Sequence, residues 1–187
     1  MRNKVTFILM FFFILNLSGI GKTYATENKV SIPPFFVNMA SLYNIPVDVL
    51  YALAIMESNT KLQNGEYAPW PYTMNVNYKG MRFASYEDLV YQSRLLIKQG
   101  KTSFDVGFFQ VNWKWNGHRS ESIEALANPY ENARVAAEIM LEEYAKVGSW
   151  AKAAGRYHNP ANRNGHADRY ASDYAKILNV IRKNMRY

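Results

Sequence analysis

The chain has 187 residues and no cysteine, which excludes disulfides, thiolate metal sites and a lipid-anchoring cysteine. Its formal net charge is +7, but the 22 Lys and Arg residues are dispersed rather than arranged in a stripe. This pattern argues against a nucleic-acid-binding protein. It leaves other anionic partners open, among them cell-wall polymers and phospholipid surfaces.

The start of the chain has the composition of a secretory signal peptide. Arg2 and Lys4 precede a mostly apolar run over residues 5–20, and residues 23–25 offer a cleavage site with small residues at both ends. The apolar run is short for a membrane span. We therefore expect cleavage, with a retained membrane anchor as the alternative.

This interpretation predicts two parts, a signal peptide over residues 1–25 and one exported domain over residues 26–187. The exported part is long enough to bury a substantial core. Because it has no disulfides, that core alone must stabilise it.

In chain order, apolar spacing and capping residues predict helices over residues 33–44, 46–57, 85–100, 128–148 and 149–158, and a last helix after residue 165. Residues 59–84 are polar and rich in turn signals. A short hairpin is expected there, with strands at 72–78 and 81–83 around Lys79 and Gly80. Residues 101–118 are expected to be non-helical. The expected fold is mostly helical with a small β element.

The second predicted helix ends on a carboxylate. Asp48 and Glu57 bracket eight uncharged residues, so this helix would be buried on all sides, with Asn44 as its cap and Pro46 in its first turn. Glu57 would face the negative end of the helix dipole and lose solvent, and both effects raise its pKa. A carboxylic acid of this kind can donate a proton near neutral pH. The alternative is a solvated glutamate at a helix end.

Other kinds of site are not indicated by the sequence. The three histidines, His118, His158 and His166, lack the spacing of a helical zinc pair. There is no phosphate-binding glycine loop and no nucleophile elbow. We therefore expect neither a metal nor a cofactor.

Four short motifs follow one another along the chain: Glu57-Ser58, GFFQ at 107–110, NPYEN at 128–132 and AGRY at 154–157. Together they resemble the lytic transglycosylases of the soluble-transglycosylase (SLT), lysozyme-like family, over roughly residues 33–181. The resemblance implies a lysozyme-like α+β fold that is predominantly α-helical, with a small β-hairpin element. The chain departs from the motifs of this family at two places: Phe108-Phe109 replaces Leu-Met, and His158 replaces the Asn that follows the tyrosine.

Longer segments, PWPYTMNV at 69–76, SFDVG at 103–107 and YHNP at 157–160, are similar to a narrower group. This group consists of the transglycosylases that accompany conjugative type IV secretion and pilus systems. The resemblance implies peptidoglycan glycan strands as substrate and proteins of such an apparatus as further partners. It also implies a monomer exported to the periplasm or otherwise to the cell wall.

The resemblance assigns Glu57 as the catalytic acid and then base that cleaves the MurNAc-GlcNAc bond and forms a 1,6-anhydro ring. Asp105 is the nearest second carboxylate by motif, although such a loop carboxylate more often caps backbone amides. A hydrolytic muramidase would require a second carboxylate. A non-catalytic peptidoglycan-binding scaffold is the other alternative.

Four further residues are predicted to bind substrate or shape the site. Tyr157 would hydrogen-bond Glu57 and orient it, or else belong to the core. Ser58 would polarise the substrate's acetamido group or cap the helix end. The Gln110 side chain, which needs a partner if buried, and the Phe109 backbone would contact the sugar.

Overall fold

The computed structural model describes residues 30–185, which form eight α-helices, six short strands and two 3-10 turns. The helices are α1 (Pro34–Leu42), α2 (Val47–Ser58), α3 (Tyr86–Lys98), α4 (Trp113–Asn116), α5 (Ile123–Ala127), α6 (Pro129–Val147), α7 (Trp150–His158) and α8 (His166–Asn184). The strands are β1 (Asn59–Lys61), β2 (Tyr67–Pro69), β3 (Thr73–Val76), β4 (Lys79–Arg82), β5 (Asp105–Val106) and β6 (Val111–Asn112). The predicted α+β class, dominated by helices, is confirmed.

Helix α2 runs through the core. Residues 48–54 are all buried, as the absence of charge between Asp48 and Glu57 predicts. The last helix packs against α2, where the Tyr174 hydroxyl donates to the Val49 carbonyl at 2.8 Å and Arg182 bonds to Asp48 at 2.5 Å. This packing places the inner face of α8 beside Glu57, near the end of α2.

Helices α7 and α8 approach each other closely at Gly155. A Cβ atom there would lie 2.4 Å from the Ala167 carbonyl oxygen, closer than real Cβ atoms come to backbone. Glycine is therefore required by the packing of the two helices. The contact brings the end of α7 and the first turns of α8 to the same side of the core.

Two antiparallel sheets lie beside the end of α2. β1 pairs with β2, and the second sheet has the order β4-β3-β5-β6. Asp105 on β5 stands opposite Asn75 on β3 and Asn112 on β6. Since β1 continues directly from α2, the first sheet begins beside Glu57, and Asp105 of the second sheet lies close enough for its charge to act on Glu57.

The predicted hairpin exists, but its turn lies elsewhere. The tip is formed by Asn77 and Tyr78, which both have positive φ (51° and 63°), whereas Lys79 and Gly80 belong to β4. A two-residue turn with two positive φ angles matches the twist of the flanking strands. The prediction placed the turn at the glycine and was wrong by two residues.

Several predicted helix ends are confirmed. The Ser85 hydroxyl accepts from the Asp88 amide, and the Asn128 side chain accepts from the Tyr130 amide. Gly148 ends α6 in the left-handed conformation, with φ 64°. Local capping chemistry therefore sets these boundaries.

Other local predictions were wrong. Asn44 takes a left-handed conformation and does not cap α2, because Pro46 occupies the cap position without a side-chain bond. Ser149 precedes α7 but makes no capping bond. Residues 101–118 were expected to be non-helical, yet they contain α4 and part of a 3-10 turn besides β5 and β6, and α5 was not predicted.

Within residues 30–185, every helix is too short or too polar to cross a bilayer. The predicted signal peptide lies outside the described residues. It remains a prediction, as do the domain boundaries drawn from it.

Candidate active site

Glu57 is the next-to-last residue of α2 and is partly buried. Its Oε1 accepts a hydrogen bond of 2.5 Å from the Tyr170 hydroxyl on α8. Burial raises the pKa of Glu57 to about 8, the bond from Tyr170 opposes the rise, and the negative charge of Asp105 adds to it. At neutral pH Glu57 is therefore mostly protonated. The raised pKa follows the prediction.

Asp105 lies close enough for its charge to act on Glu57. Burial raises the pKa of Asp105, and the Asn112 amide, which donates to its Oδ1 at 2.8 Å, opposes that rise. Among the described residues no backbone amide donates to this carboxylate, so the predicted capping role is wrong. The sheet pairing across β5 and β6 gives Asp105 a side-chain partner instead.

The segment 107–110 is fixed by Asn132, the last residue of the NPYEN motif. Asn132 is fully buried and accepts from the Phe109 amide at 3.0 Å, while its own amide donates to the carbonyls of Val106 and Leu126. Gly107 has φ +85°, and a Cβ there would lie 2.5 Å from Asn132. The motifs were noted in the sequence, but this contact was not predicted.

Gln110 is half-buried beside this segment in a left-handed conformation, with φ 47°. Its amide nitrogen donates to Thr73 Oγ1 at 2.8 Å and to the Gly107 carbonyl at 3.0 Å. Its side-chain oxygen receives no hydrogen bond from residues 30–185, which leaves it able to accept one from a sugar hydroxyl or amide. Substrate binding by Gln110 remains a prediction.

Tyr157 does not bond Glu57, contrary to the prediction. Its hydroxyl donates to the Phe109 carbonyl at 2.7 Å, because Tyr157 faces the 107–110 segment while Tyr170 fills the position beside the carboxyl group. The negative charge of Glu57 nevertheless helps to raise the pKa of Tyr157. Tyr157 therefore lies at the edge of the site and holds the Phe109 backbone there.

Phe109 and Ser58 are less accessible to a substrate than predicted. The Phe109 side chain is fully buried and both its backbone groups have protein partners, so one carbonyl lone pair remains for a substrate. Ser58 is only 1% exposed and donates to the Ala54 carbonyl at 3.0 Å. Burial of Ser58 contradicts its predicted contact with substrate, because its hydroxyl turns back onto α2.

Tyr170 is the site residue that the sequence reasoning missed. Tyr170 and Tyr174 lie four residues apart on α8, and both face inward. A phenol on an inner face needs a hydrogen-bond partner, which was the available signal. Burial and the neighbouring carboxyl group of Glu57 raise the pKa of Tyr170 well above its usual value, so it remains a donor.

These groups can perform proton transfer at a single carboxyl group. Glu57 is mostly protonated and accepts a hydrogen bond from a phenol, and within residues 30–185 the one carboxylate whose charge acts on it is Asp105. A carboxylic acid that stays protonated at neutral pH can act as a general acid and, once ionised, as a base.

Residues 35–180 match the family described as Transglycosylase SLT domain, and the chain belongs to this family. The lysozyme-like fold predicted from the motifs is thereby confirmed. Membership supports lytic transglycosylase activity on peptidoglycan. No curated protein and no solved structure gives a significant match to the chain.

Proposed function

We propose that the protein is a peptidoglycan lytic transglycosylase that cleaves the β-1,4 bond between N-acetylmuramic acid and N-acetylglucosamine and forms 1,6-anhydromuramic acid. The observation that carries this proposal is the protonated carboxyl group of Glu57, held by Tyr170. Family membership supports the substrate class.

The reaction needs one group that acts twice. Glu57 donates its proton to the glycosidic oxygen, and the bond from that oxygen to C1 of the muramic acid breaks, leaving an oxocarbenium-like centre. The Glu57 carboxylate then takes the proton of the C6 hydroxyl, whose oxygen bonds to C1 and closes the ring. Glu57 is protonated again, and no water is consumed.

The first alternative is a hydrolytic muramidase acting on the same bond. A hydrolase needs a second, ionised carboxylate to activate water or to form a covalent intermediate. Asp105 is the one candidate near Glu57 in the described residues, and its Oδ1 already accepts a hydrogen bond from the Asn112 side chain. The product of the reaction distinguishes the two enzymes.

The second alternative is a non-catalytic scaffold. A buried acid with a raised pKa costs stability, and a module that only binds has no use for it. The environment of Glu57 therefore favours an enzyme.

We further propose that the protein is exported through the signal at residues 1–25 and opens the cell wall locally for a conjugation or secretion apparatus. The composition of the first residues supports export. The segments 69–76, 103–107 and 157–160 support the apparatus, through their similarity to transglycosylases of such systems.

Digestion of purified sacculi, followed by mass spectrometry of the muropeptides, tests the proposed reaction. We expect anhydro products from the parent protein and none from Glu57→Gln. Glu87→Gln, which changes an exposed glutamate on α3, is the control and should match the parent. Products heavier by one water would assign the protein to the muramidases, and an active Glu57→Gln variant would refute the role of Glu57.

A further inference from the structure

The imidazole of His158 lies against the ring of Tyr170. The two rings are stacked with their centroids 4.4 Å apart and their planes 14° from parallel. His158 is the last residue of α7 and is exposed, whereas Tyr170 is partly buried. The imidazole therefore packs against one face of the phenol that bonds Glu57.

Imidazole, phenol and carboxyl group form three successive layers from solvent to the core. The inner contact is the 2.5 Å hydrogen bond from Tyr170 to Glu57, and the outer contact is the ring stack. A hydrogen bond keeps its strength only while the O–H group points at the acceptor, so it depends on the position of the phenol ring. A stacked ring fixes that position and excludes water from one face.

We propose that His158 is a positioning residue that holds the Tyr170 ring where its hydroxyl can bond Glu57. The catalytic consequence rests on the proposed function, in which Glu57 is the acid. The effect on the Glu57 carboxyl group does not depend on that function.

The titratable groups around Glu57 show how an effect of the ring stack on its pKa differs from an effect of a charge on His158. Partial burial of its ring and the neighbouring His166 lower the pKa of His158, which favours the neutral ring. Tyr170, Tyr157 and Asp105 are the titratable groups that interact with Glu57 from α8, α7 and β5. Of these, the bond from Tyr170 lowers the pKa of Glu57. Loss of the stack should weaken this bond and raise the pKa.

Three variants test the role. His158→Ala removes the stack, His158→Phe keeps a flat ring but cannot titrate, and His118→Ala removes an exposed histidine from a distant turn. Two quantities are measured in each full-length protein. One is the pKa of the Glu57 carboxyl group, from its carbon-13 NMR shift, and the other is the kcat and KM for release of anhydro-muropeptides.

In His158→Ala we expect the pKa of Glu57 to rise and kcat to fall about tenfold, with KM little changed, since orientation rather than affinity is lost. His158→Phe and His118→Ala should both behave as the parent. An unchanged Glu57 pKa in His158→Ala would overturn the proposal. So would a His158→Phe variant as defective as His158→Ala.

The carboxyl titration does not require turnover. It decides the role of His158 even if the parent protein releases no anhydro products, an outcome that would overturn the proposed function alone.

Discussion

Glu57 lies next to last in α2, a helix in which residues 49–54 are apolar and buried. Its surroundings favour the neutral carboxyl group, and the hydrogen bond from Tyr170 only partly offsets the loss of solvent. The same environment that prepares the group as an acid makes its ionised form unfavourable in the folded protein. Function and stability therefore oppose each other at this residue.

Glu57→Gln should stabilise the protein, and increasingly so at higher pH. Glu57 has a pKa of about 8 when folded, against an ordinary value of 4.5, so the folded state binds more protons between these values. The parent therefore loses stability as pH rises from about 5 to 8, whereas glutamine loses none. We expect a difference on the order of 4 kcal/mol at pH 8 and almost none at pH 4. Urea unfolding at both pH values measures it, and an equal difference at both would contradict the raised pKa.

Asp105→Asn should shift the pH profile of the reaction rather than abolish it. The charge of Asp105 raises the pKa of Glu57, so without it Glu57 ionises at a lower pH. We expect kcat/KM to begin its alkaline decline earlier, with less than about a tenfold loss at pH 6. Asp173→Asn, at an exposed aspartate on α8, is the control. A loss of about a hundredfold or more at pH 6 would instead indicate a hydrolase that uses both carboxylates.

Among the elements, α7 and α8 carry the aromatic residues beside Glu57. Tyr157 and His158 are the last two residues of α7, and Tyr170 is the fifth residue of α8. Their relative position depends on the close approach at Gly155. A small displacement between these two helices would move the phenol away from Glu57.

Gly155→Ala tests this dependence. The added methyl group would lie 2.4 Å from the Ala167 carbonyl, which is backbone and cannot move alone, so the helices must separate. We expect a loss of about 2 kcal/mol or more in unfolding free energy and a marked fall in kcat. Gly80→Ala is the control, because a Cβ there meets nothing within 4 Å. A fully active and stable Gly155→Ala variant would show that the helix contact does not set the site.

For the molecule as a whole, what the sequence predicts is mainly local. The buried helix α2, the caps at Ser85 and Asn128 and the raised pKa of Glu57 follow from neighbouring residues and their spacing. The partner of Glu57 does not, because it lies 113 residues further along the chain. Two inward tyrosines, Tyr157 and Tyr170, were both able to reach it, and only the packing of α7 and α8 decides between them.

The turn of the β3–β4 hairpin shows a different limit. Gly80 was the natural choice for a residue with positive φ, yet Asn77 and Tyr78 adopt that conformation. The observed register pairs Met74 with Met81 and Val76 with Lys79, which leaves Asn77 and Tyr78 as the turn and Gly80 inside β4. Pairing between the two strands, rather than the position of the glycine, therefore defines the turn.

Export is tested on the whole chain. If residues 1–25 are a cleaved signal, the protein recovered outside the cytoplasm should begin at Thr26, and intact mass spectrometry will show this. Replacing Ala25 with a bulky residue should leave the precursor uncleaved. Recovery of the full-length chain at the membrane would support the retained anchor instead.

The burial of Glu57 also means that the acid exists only in the folded protein. In the unfolded chain the carboxyl group has its ordinary pKa of 4.5 and is ionised at neutral pH. An ionised carboxylate has no proton to donate, so the proton that the proposed reaction needs is taken up as the chain folds.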